Sequence, residues 1–224
     1  MRHEIKIPFK DDFNNYFLNW KDFEHKISKT YQDRYIDSMY YDDEELTIAQ
    51  DNLAGISNRK KYRIRWYNNS KDFYNYEIKI KKNILGKKII LKSDNKISNF
   101  DNLYSVKNSF LREPENTFFL SNFDNLNLKP KLHVSYLRSY YLYEGVVRLT
   151  FDRNLNYKLF NKFNFKNNFI KDNMSVLELK FKPEYLSLVH KLIKGSNFIP
   201  KRFSKYLRGL YLKDVVNYVW FFRF

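Results

Sequence analysis

Charged and apolar residues alternate strictly over residues 59–67, the most regular pattern in the chain. Alternate positions hold Arg59, Lys61, Arg63 and Arg65 on one side, and Tyr62, Ile64 and Trp66 on the other. Successive side chains of a β-strand point to opposite faces, so this segment predicts a strand with one cationic face and one core-facing side. Adjacent cations repel each other, which indicates a polyanion opposite them. A solvent-exposed basic surface is the simpler alternative.

The same two-sided pattern recurs on other predicted strands. On each of four further strands the charged residues share one face. They are Glu4 and Lys6; Glu77, Lys79 and Lys81; Arg148 and Asp152; and Glu178 and Lys180. Solvent-facing strand positions usually include Ser, Thr, Asn and Gln, whereas nearly every position here is Arg, Lys or Glu. The pattern therefore favours a closed barrel with a charged lumen, and a single wet sheet face remains the alternative.

The order of the predicted elements indicates an α+β fold that is mainly antiparallel β, as a single domain over residues 1–224. Predicted strands are Glu4–Phe9, Arg34–Asp42, Arg59–Tyr67, Phe73–Lys82, Lys87–Ser93, Leu132–Tyr143, Val146–Asp152 and Val176–Phe181. Predicted helices are Asp11–Phe23, Glu44–Asn52, Ile97–Leu111, Pro183–Ile193 and Ser204–Tyr218, and Tyr157–Asn173 is interpreted as an insertion. Short connections join consecutive strands, as in an eight-stranded antiparallel sheet or barrel with flanking helices.

Composition narrows the class of partner. The 224 residues carry a net charge of +16, from 41 basic and 25 acidic residues, which favours a polyanion: nucleic acid, a phosphorylated metabolite or an anionic membrane. Cysteine is absent, so disulfides and thiolate metal sites are excluded. Aromatic residues lie mainly opposite the cations on the strands, which argues against a nucleic-acid partner.

Hydropathy indicates a cytoplasmic protein. No apolar run is long enough to span a bilayer, and the first residues alternate instead of forming a signal peptide. The apolar segment Val219–Phe224 is predicted to dock on a partner, and a membrane protein is the candidate.

Seven motifs, in order along nearly the whole chain, resemble the VTC domain family. They are Ser38–Asp42 ("SLYFD" in the family), Tyr62–Tyr67 ("IRLRWYG"), Glu77–Lys79 ("E-x-K"), Tyr136–Tyr140 ("Y-x-R-T-A-F"), Val147–Asp152 ("VRISLD"), Val176–Lys180 ("VLEVK") and Phe203–Tyr206 ("FSKF") with Gly209. The resemblance implies the fold of the triphosphate tunnel metalloenzymes, an eight-stranded antiparallel tunnel lined with Arg, Lys and Glu.

The resemblance implies an enzyme that transfers the γ-phosphate of ATP onto polyphosphate and requires Mn²⁺ or Mg²⁺. ATP and polyphosphate or triphosphate are then the expected partners. Two alternatives remain open on the same tunnel: a hydrolase of tripolyphosphate or nucleoside triphosphates, and a non-catalytic polyphosphate sensor.

The resemblance also assigns roles to residues. The expected phosphate ligands are Lys6, Arg63, Arg65, Lys79, Lys88, Arg138, Arg148, Arg202, Ser204 and Lys205. All but Lys88, Arg202 and Ser204 are expected to take part in catalysis, because phosphoryl transfer depends on positioning and charge neutralisation. Glu178 is the expected metal ligand, with Glu4 beside it. Lys61 is interpreted as a charge at the tunnel mouth and Arg59 as a solvated residue.

Overall fold

The structure is a computed structural model that describes residues 2–10, 23–68, 70–82, 85–93, 128–160, 168–196 and 198–216. The strands are β1 (His3–Phe9), β2 (Ile27–Asp42), β3 (Arg59–Tyr67), β4 (Ser70–Lys82), β5 (Leu85–Ser93), β6 (Lys129–Tyr143), β7 (Val147–Leu159), β8 (Ile170–Lys171) and β9 (Ser175–Phe181). The helices are α1 (Phe23–Lys26), α2 (Thr47–Ala54), α3 (Leu186–Gly195) and α4 (Lys205–Leu212), and Pro183–Tyr185 forms a 3₁₀ turn.

The strands form one antiparallel sheet in the order β1-β9-β7-β6-β2-β3-β4-β5, with β8 paired to β7. This confirms the predicted mainly antiparallel fold with flanking helices. The hydrogen-bonded path through the described strands ends at β1 and β5 and is not closed by backbone pairing. The sheet curls instead, so that Lys79 of β4 donates to Glu4 of β1 at 3.2 Å.

The register places the apolar and the charged side chains on opposite faces of this curled sheet. Apolar side chains of β2, β3 and β4 form one buried cluster, which includes Met39, Ile64 and Trp66. Side chains of β1, β7 and β9 form a second cluster, against Val189 and Leu192 of α3. Both clusters lie on the convex side. The charged positions of the same strands therefore face the concave side, here called the inner face.

Helix α4 lies on the inner face and fills one end of it. Leu207 and Leu210 are buried against Leu132 and Val134 of β6. Gly209 permits this close approach, since a Cβ atom there would lie 2.5 Å from Leu132 and from Tyr157. The helix therefore presents its first residues to the charged part of the inner face.

Asp42 links α2 and α4 to the end of β2. Its carboxylate accepts hydrogen bonds from the backbone amides of Ile48 (2.9 Å) and Ala49 (3.0 Å) in α2. The hydroxyl of Tyr206 in α4 donates to the same carboxylate at 2.8 Å. A buried aspartate thus caps one helix, which satisfies amides that the helix cannot pair itself, and fixes the position of a second.

Several predicted boundaries differ from the structure. Strand β2 begins at Ile27 rather than Arg34, because its antiparallel ladder with β6 continues through irregular pairing as far as Ile27. Strand β7 continues to Leu159, so the prediction of an insertion from Tyr157 was wrong: Tyr157 is fully buried and pairs with Val134. Helix α4 ends at Leu212, short of the predicted Tyr218.

The predictions for 11–22, 97–111 and 219–224 lie outside the described residues. None of the helices in the described part of the chain has the length and apolar character needed to cross a membrane.

Candidate functional site

Charged side chains from seven strands converge on the inner face. Cross-strand partners share a face of an antiparallel ladder, and the register pairs Lys6 with Glu178, Arg63 with Glu77 and Arg138 with Asp152. Cations outnumber carboxylates: Lys6, Lys61, Arg63, Arg65, Lys79, Lys88, Arg138, Arg148 and Lys180 face Glu4, Glu77, Asp152 and Glu178, and α4 adds Lys205.

Burial separates the two interpretations that the sequence left open. Only 6% of Arg65, 2% of Glu77 and 6% of Glu178 is exposed. On a sheet face that is open to solvent, such side chains would be exposed, because burying an ionised group removes its hydration and costs free energy. The centre of the inner face is therefore an enclosed charged surface, whereas Lys79 of β4 and Lys88 of β5 stay partly exposed.

Glu77 is the centre of the first group of charges. Its carboxylate accepts hydrogen bonds from Arg63 Nε at 2.5 Å and from Lys88 Nζ at 2.5 Å, and Arg65 lies 3.7 Å away. Burial alone would raise the pKa of Glu77, but Arg63, Arg65 and Lys88 outweigh it and lower the pKa to about 2. Glu77 is therefore ionised and aligns these cations.

Arg65 is held further by neutral groups. Its Nε donates to Ser38 Oγ at 3.2 Å and its terminal nitrogen to the Tyr136 hydroxyl at 3.2 Å. The Tyr40 hydroxyl similarly accepts from Arg63 at 3.1 Å. These contacts fix the planes of both guanidinium groups, which is the requirement for bidentate contacts with phosphate oxygens.

Asp152 is the centre of the second group. Arg138 makes two hydrogen bonds to its carboxylate, at 2.5 and 2.7 Å, and Lys205 Nζ makes a third at 2.5 Å. Asp152 is fully buried, and burial alone would raise its pKa. Arg138 and Lys205 outweigh burial and lower the pKa of Asp152 below its ordinary value. Lys205 also lies 4.6 Å from the centre of the Tyr136 ring, so the start of α4 is tied to the sheet.

Glu178 and Glu4 form the third group, on β9 and β1. Lys180 pairs with Glu178, and Lys6 lies 4.0 Å from Glu178 and 3.2 Å from Glu4. Burial alone would raise the pKa of both carboxyls. Lys180 and Lys6 outweigh it at Glu178, and Lys6 and Lys79 do so at Glu4, so both carboxyls have a lowered pKa. Both carboxylates are therefore ionised, and Lys6 contacts both of them.

Lys61 lies deeper than the sequence analysis placed it. Its Nζ donates to Ser204 Oγ at 3.2 Å, and this contact joins β3 to the start of α4. Burial lowers the pKa of Lys61 well below its usual value, and Lys6, Lys79 and Arg63 add to the effect. The alternation over 59–67 already put Lys61 on the same face as Arg63, but only the position of Ser204 shows its depth.

Arg148 and Arg202 lie at the margins of the site. Arg148 is exposed beside Lys180, and no carboxylate of the described residues pairs with it. Arg202 is exposed next to Gly55, and with burial it lowers the pKa of Arg59. The structure therefore brings most of the expected phosphate ligands together and leaves these two arginines at the edge.

Glu4 and Glu178 are the side chains that could hold a divalent metal. Lys6 contacts both carboxylates, so both face the same space. Among the described residues, no group of three or more His, Cys, Asp or Glu could hold a metal by itself. Mg²⁺ and similar ions are usually bound by one or two carboxylates together with water and substrate phosphates, so this donor set fits such an ion.

A family model for the VTC domain matches residues 7–212, which covers nearly all of the elements described above. The chain belongs to the VTC domain family. The curated proteins contain no match to the chain. The family's fold is the triphosphate tunnel, and its superfamily of tunnel metalloenzymes implies a divalent metal.

Solved structures share the fold of this VTC domain at low sequence identity. One is a Hippeastrum protein described as a candidate adenylyl cyclase with a dominant triphosphatase activity. It is 11% identical, with a TM-score of 0.54 over 97% of this chain and 98% of that one. Another is a Bacillus halodurans protein described as a candidate adenylate cyclase. It is 12% identical, with a TM-score of 0.51 over 91% of this chain and 95% of that one.

Proposed function

We propose that this VTC domain is a polyphosphate polymerase, which transfers the γ-phosphate of ATP onto the end of a polyphosphate chain. The observation that carries the proposal is the enclosed inner face, where ordered arginines and lysines outnumber the carboxylates. A linear polyanion matches such a surface in charge and shape. Phosphoryl transfer needs this kind of site, because the protein contributes positioning and electrostatic stabilisation.

The reaction requires no proton transfer to a protein base. A terminal oxygen of the polyphosphate acceptor attacks the γ-phosphorus, the bond to the β–γ bridging oxygen breaks, and ADP leaves. Arg63, Arg65 and Arg138 bind the phosphate oxygens, and Lys6, Lys79, Lys88 and Lys205 balance the negative charge. A divalent ion on Glu178 and Glu4, Mn²⁺ or Mg²⁺, would supply further charge neutralisation when bound.

The state of the carboxylates favours a phosphate acceptor over water. Water would need a carboxylate that is available to orient it. Among the described residues, Glu77 is engaged by Arg63 and Lys88, and Asp152 by Arg138 and Lys205. Glu4 is engaged by Lys6 and Lys79. A polyphosphate terminus is already ionised and needs no such group.

Incubation with ATP and Mn²⁺ tests the proposal, with gel analysis of polymer and a parallel measurement of free phosphate. Arg65→Lys keeps the charge of Arg65 but loses its bidentate geometry, and we expect about a 10²-fold loss of polymer synthesis. The matched control is Lys60→Ala, which removes a cation from the opposite face of β3 and should retain wild-type synthesis. Circular dichroism of both variants checks that they fold.

Each product pattern has a distinct meaning. Long polyphosphate supports the polymerase. Free phosphate without polymer identifies a hydrolase on the same tunnel, and tight polyphosphate binding without either product identifies a sensor. If Arg65→Lys has the same turnover as the wild type, the assignment of the inner face as the active site is wrong.

A further inference from the structure

The inner face ends in a group of tyrosines around one arginine. Beyond Arg65 along β3, Tyr67 lies with Tyr31 and Arg34 of β2 in the wall of a cavity of about 470 Å³. The guanidinium carbon of Arg34 is 6.0 Å from the ring centre of Tyr31 and 6.0 Å from that of Tyr140. Tyr31, Arg34, Tyr67 and Tyr140 are called the tyrosine end below.

The register places the tyrosine end directly next to the proposed phosphate ligands. Arg34 of β2 faces Arg138 of β6, and Tyr31 faces Tyr140 in the same ladder. Tyr140 in turn faces Thr150 of β7, whose neighbour across the sheet is Glu178. A molecule that binds phosphate at Arg138 can therefore reach the tyrosine end without leaving the inner face.

The tyrosine end is open and has unused binding capacity. Tyr31 is 58% exposed, Arg34 is exposed, and no carboxylate of the described residues pairs with Arg34. The rings of Tyr31 and Tyr140 meet edge to face, with centres 5.7 Å apart. Aromatic rings and guanidinium planes stack on the face of any nucleobase.

We propose that the tyrosine end is a nucleobase subsite that stacks the purine ring of ATP while Arg138 and Arg65 hold its phosphates. This inference rests on the proposed function, since it assigns a place to the base of the phosphoryl donor. The cavity is within the size range of small-molecule sites. The side-chain amide of Asn68, which also lines it, can hydrogen-bond to a base edge.

Isothermal titration of the full chain with two ligands tests the subsite: the β,γ-imido analogue of ATP, which carries a base, and inorganic tripolyphosphate, which does not. We expect Tyr31→Ala and Tyr140→Ala each to weaken binding of the analogue about five- to tenfold, which corresponds to about 1 kcal/mol or slightly more for a lost stacking contact. The affinity for tripolyphosphate should stay within about twofold of the wild-type value.

The control variant is Tyr35→Ala. Tyr35 is also on β2 and 46% exposed, but it lies on the opposite face of the strand from Arg34, so both affinities should be unchanged. If Tyr31→Ala and Tyr140→Ala lose affinity for both ligands equally, these tyrosines contact phosphate and the subsite proposal is wrong. The proposal is also wrong if the two variants bind the analogue as tightly as the wild type does. In either case, polymer synthesis by the same wild-type preparation would show that the subsite proposal is wrong while the proposed function still holds. A wild-type protein that binds neither ligand overturns the proposed function and the subsite with it.

Discussion

Burial and neighbouring cations lower the pKa of individual lysines on the inner face, and a bound polyanion would raise it again. Lys88 is the clearest case, because burial is the largest effect on it, and Arg63 and Arg65 repel its charge. Glu77 opposes these effects but does not cancel them, and the pKa of Lys88 falls from 10.5 to about 8. A phosphate oxygen near Lys88 would favour the protonated form and raise this pKa again.

The low pKa of Lys88 predicts a pH dependence of ligand binding. The ligand binds the protonated form better, so binding takes up a proton once the pH exceeds about 8, and affinity falls as the pH rises further. We expect tripolyphosphate to bind more weakly at pH 9 than at pH 7.5, and Lys88→Met to lose part of this difference. Titration calorimetry at both pH values measures it.

Lys87→Met is the matched control for this prediction. Lys87 is exposed and adjacent, but it pairs with Ile80 and so lies on the other face of β5. Its removal should leave the pH dependence intact. If Lys88→Met and Lys87→Met have the same pH profile as the wild type, Lys88 does not contact the ligand.

At the scale of elements, α4 connects the core to the site. Its apolar side is buried on β6 and β7. At its start, Lys205 contacts Asp152, and Ser204, which directly precedes the helix, contacts Lys61. The buried packing and these two contacts all depend on how closely the helix approaches the sheet. That approach depends on Gly209.

Gly209→Ala should therefore destabilise the protein. The added Cβ would lie 2.5 Å from side chains of Leu132 and Tyr157, both fully buried, so the helix or the sheet must move. We expect a loss of about 1–3 kcal/mol in the free energy of unfolding, as for overpacked cores. Urea unfolding followed by circular dichroism measures it.

Gly195→Ala is the control for the glycine substitution. Gly195 ends α3, and a Cβ there would have no neighbour within 4 Å. This variant should be as stable as the wild type or more stable, since alanine has fewer unfolded conformations than glycine. Equal stability of the two variants would contradict the close packing of α4.

At the scale of the whole molecule, like charges on the inner face oppose the curling of the sheet, and a bound polyanion should stabilise it. At a ligand concentration of about 100 Kd, linkage gives about 2.7 kcal/mol of stabilisation. For a chain of this size we expect tripolyphosphate to raise the Tm by roughly 5–10 °C. Thermal unfolding with NaCl at matched ionic strength is the control.

A single-stranded DNA oligonucleotide at the same phosphate concentration extends this measurement. The pattern of the strands predicted no nucleic-acid partner, and Arg65 and Glu77 on the inner face are almost fully buried, unlike the residues of an exposed basic groove that binds a single strand. We expect the oligonucleotide to change the Tm less than tripolyphosphate does. An equal or larger increase in Tm would contradict both the prediction and the tunnel interpretation.

The sequence by itself determined the two faces of the strands. Period-two alternation depends only on backbone geometry, so the pattern of Arg63, Arg65 and Lys79 against Tyr62, Ile64 and Trp66 was sufficient to predict antiparallel strands with a charged side. The order of the VTC motifs then indicated the tunnel fold and identified Arg63 and Arg65 as expected phosphate ligands. Local patterns were also sufficient for α3, whose predicted boundaries differ by only a few residues.

Only the tertiary structure decided which charges meet and how deep they lie. Glu77 and Lys88 are on different strands, and Lys61 and Ser204 are 143 positions apart, so their contacts depend on strand order and on the packing of α4. The tyrosine end likewise requires irregular pairing of β2 with β6, which brings Tyr31 and Arg34 to the same face although three positions separate them. Long-range register and the depth of burial are properties of the whole fold, and local periodicity does not specify them.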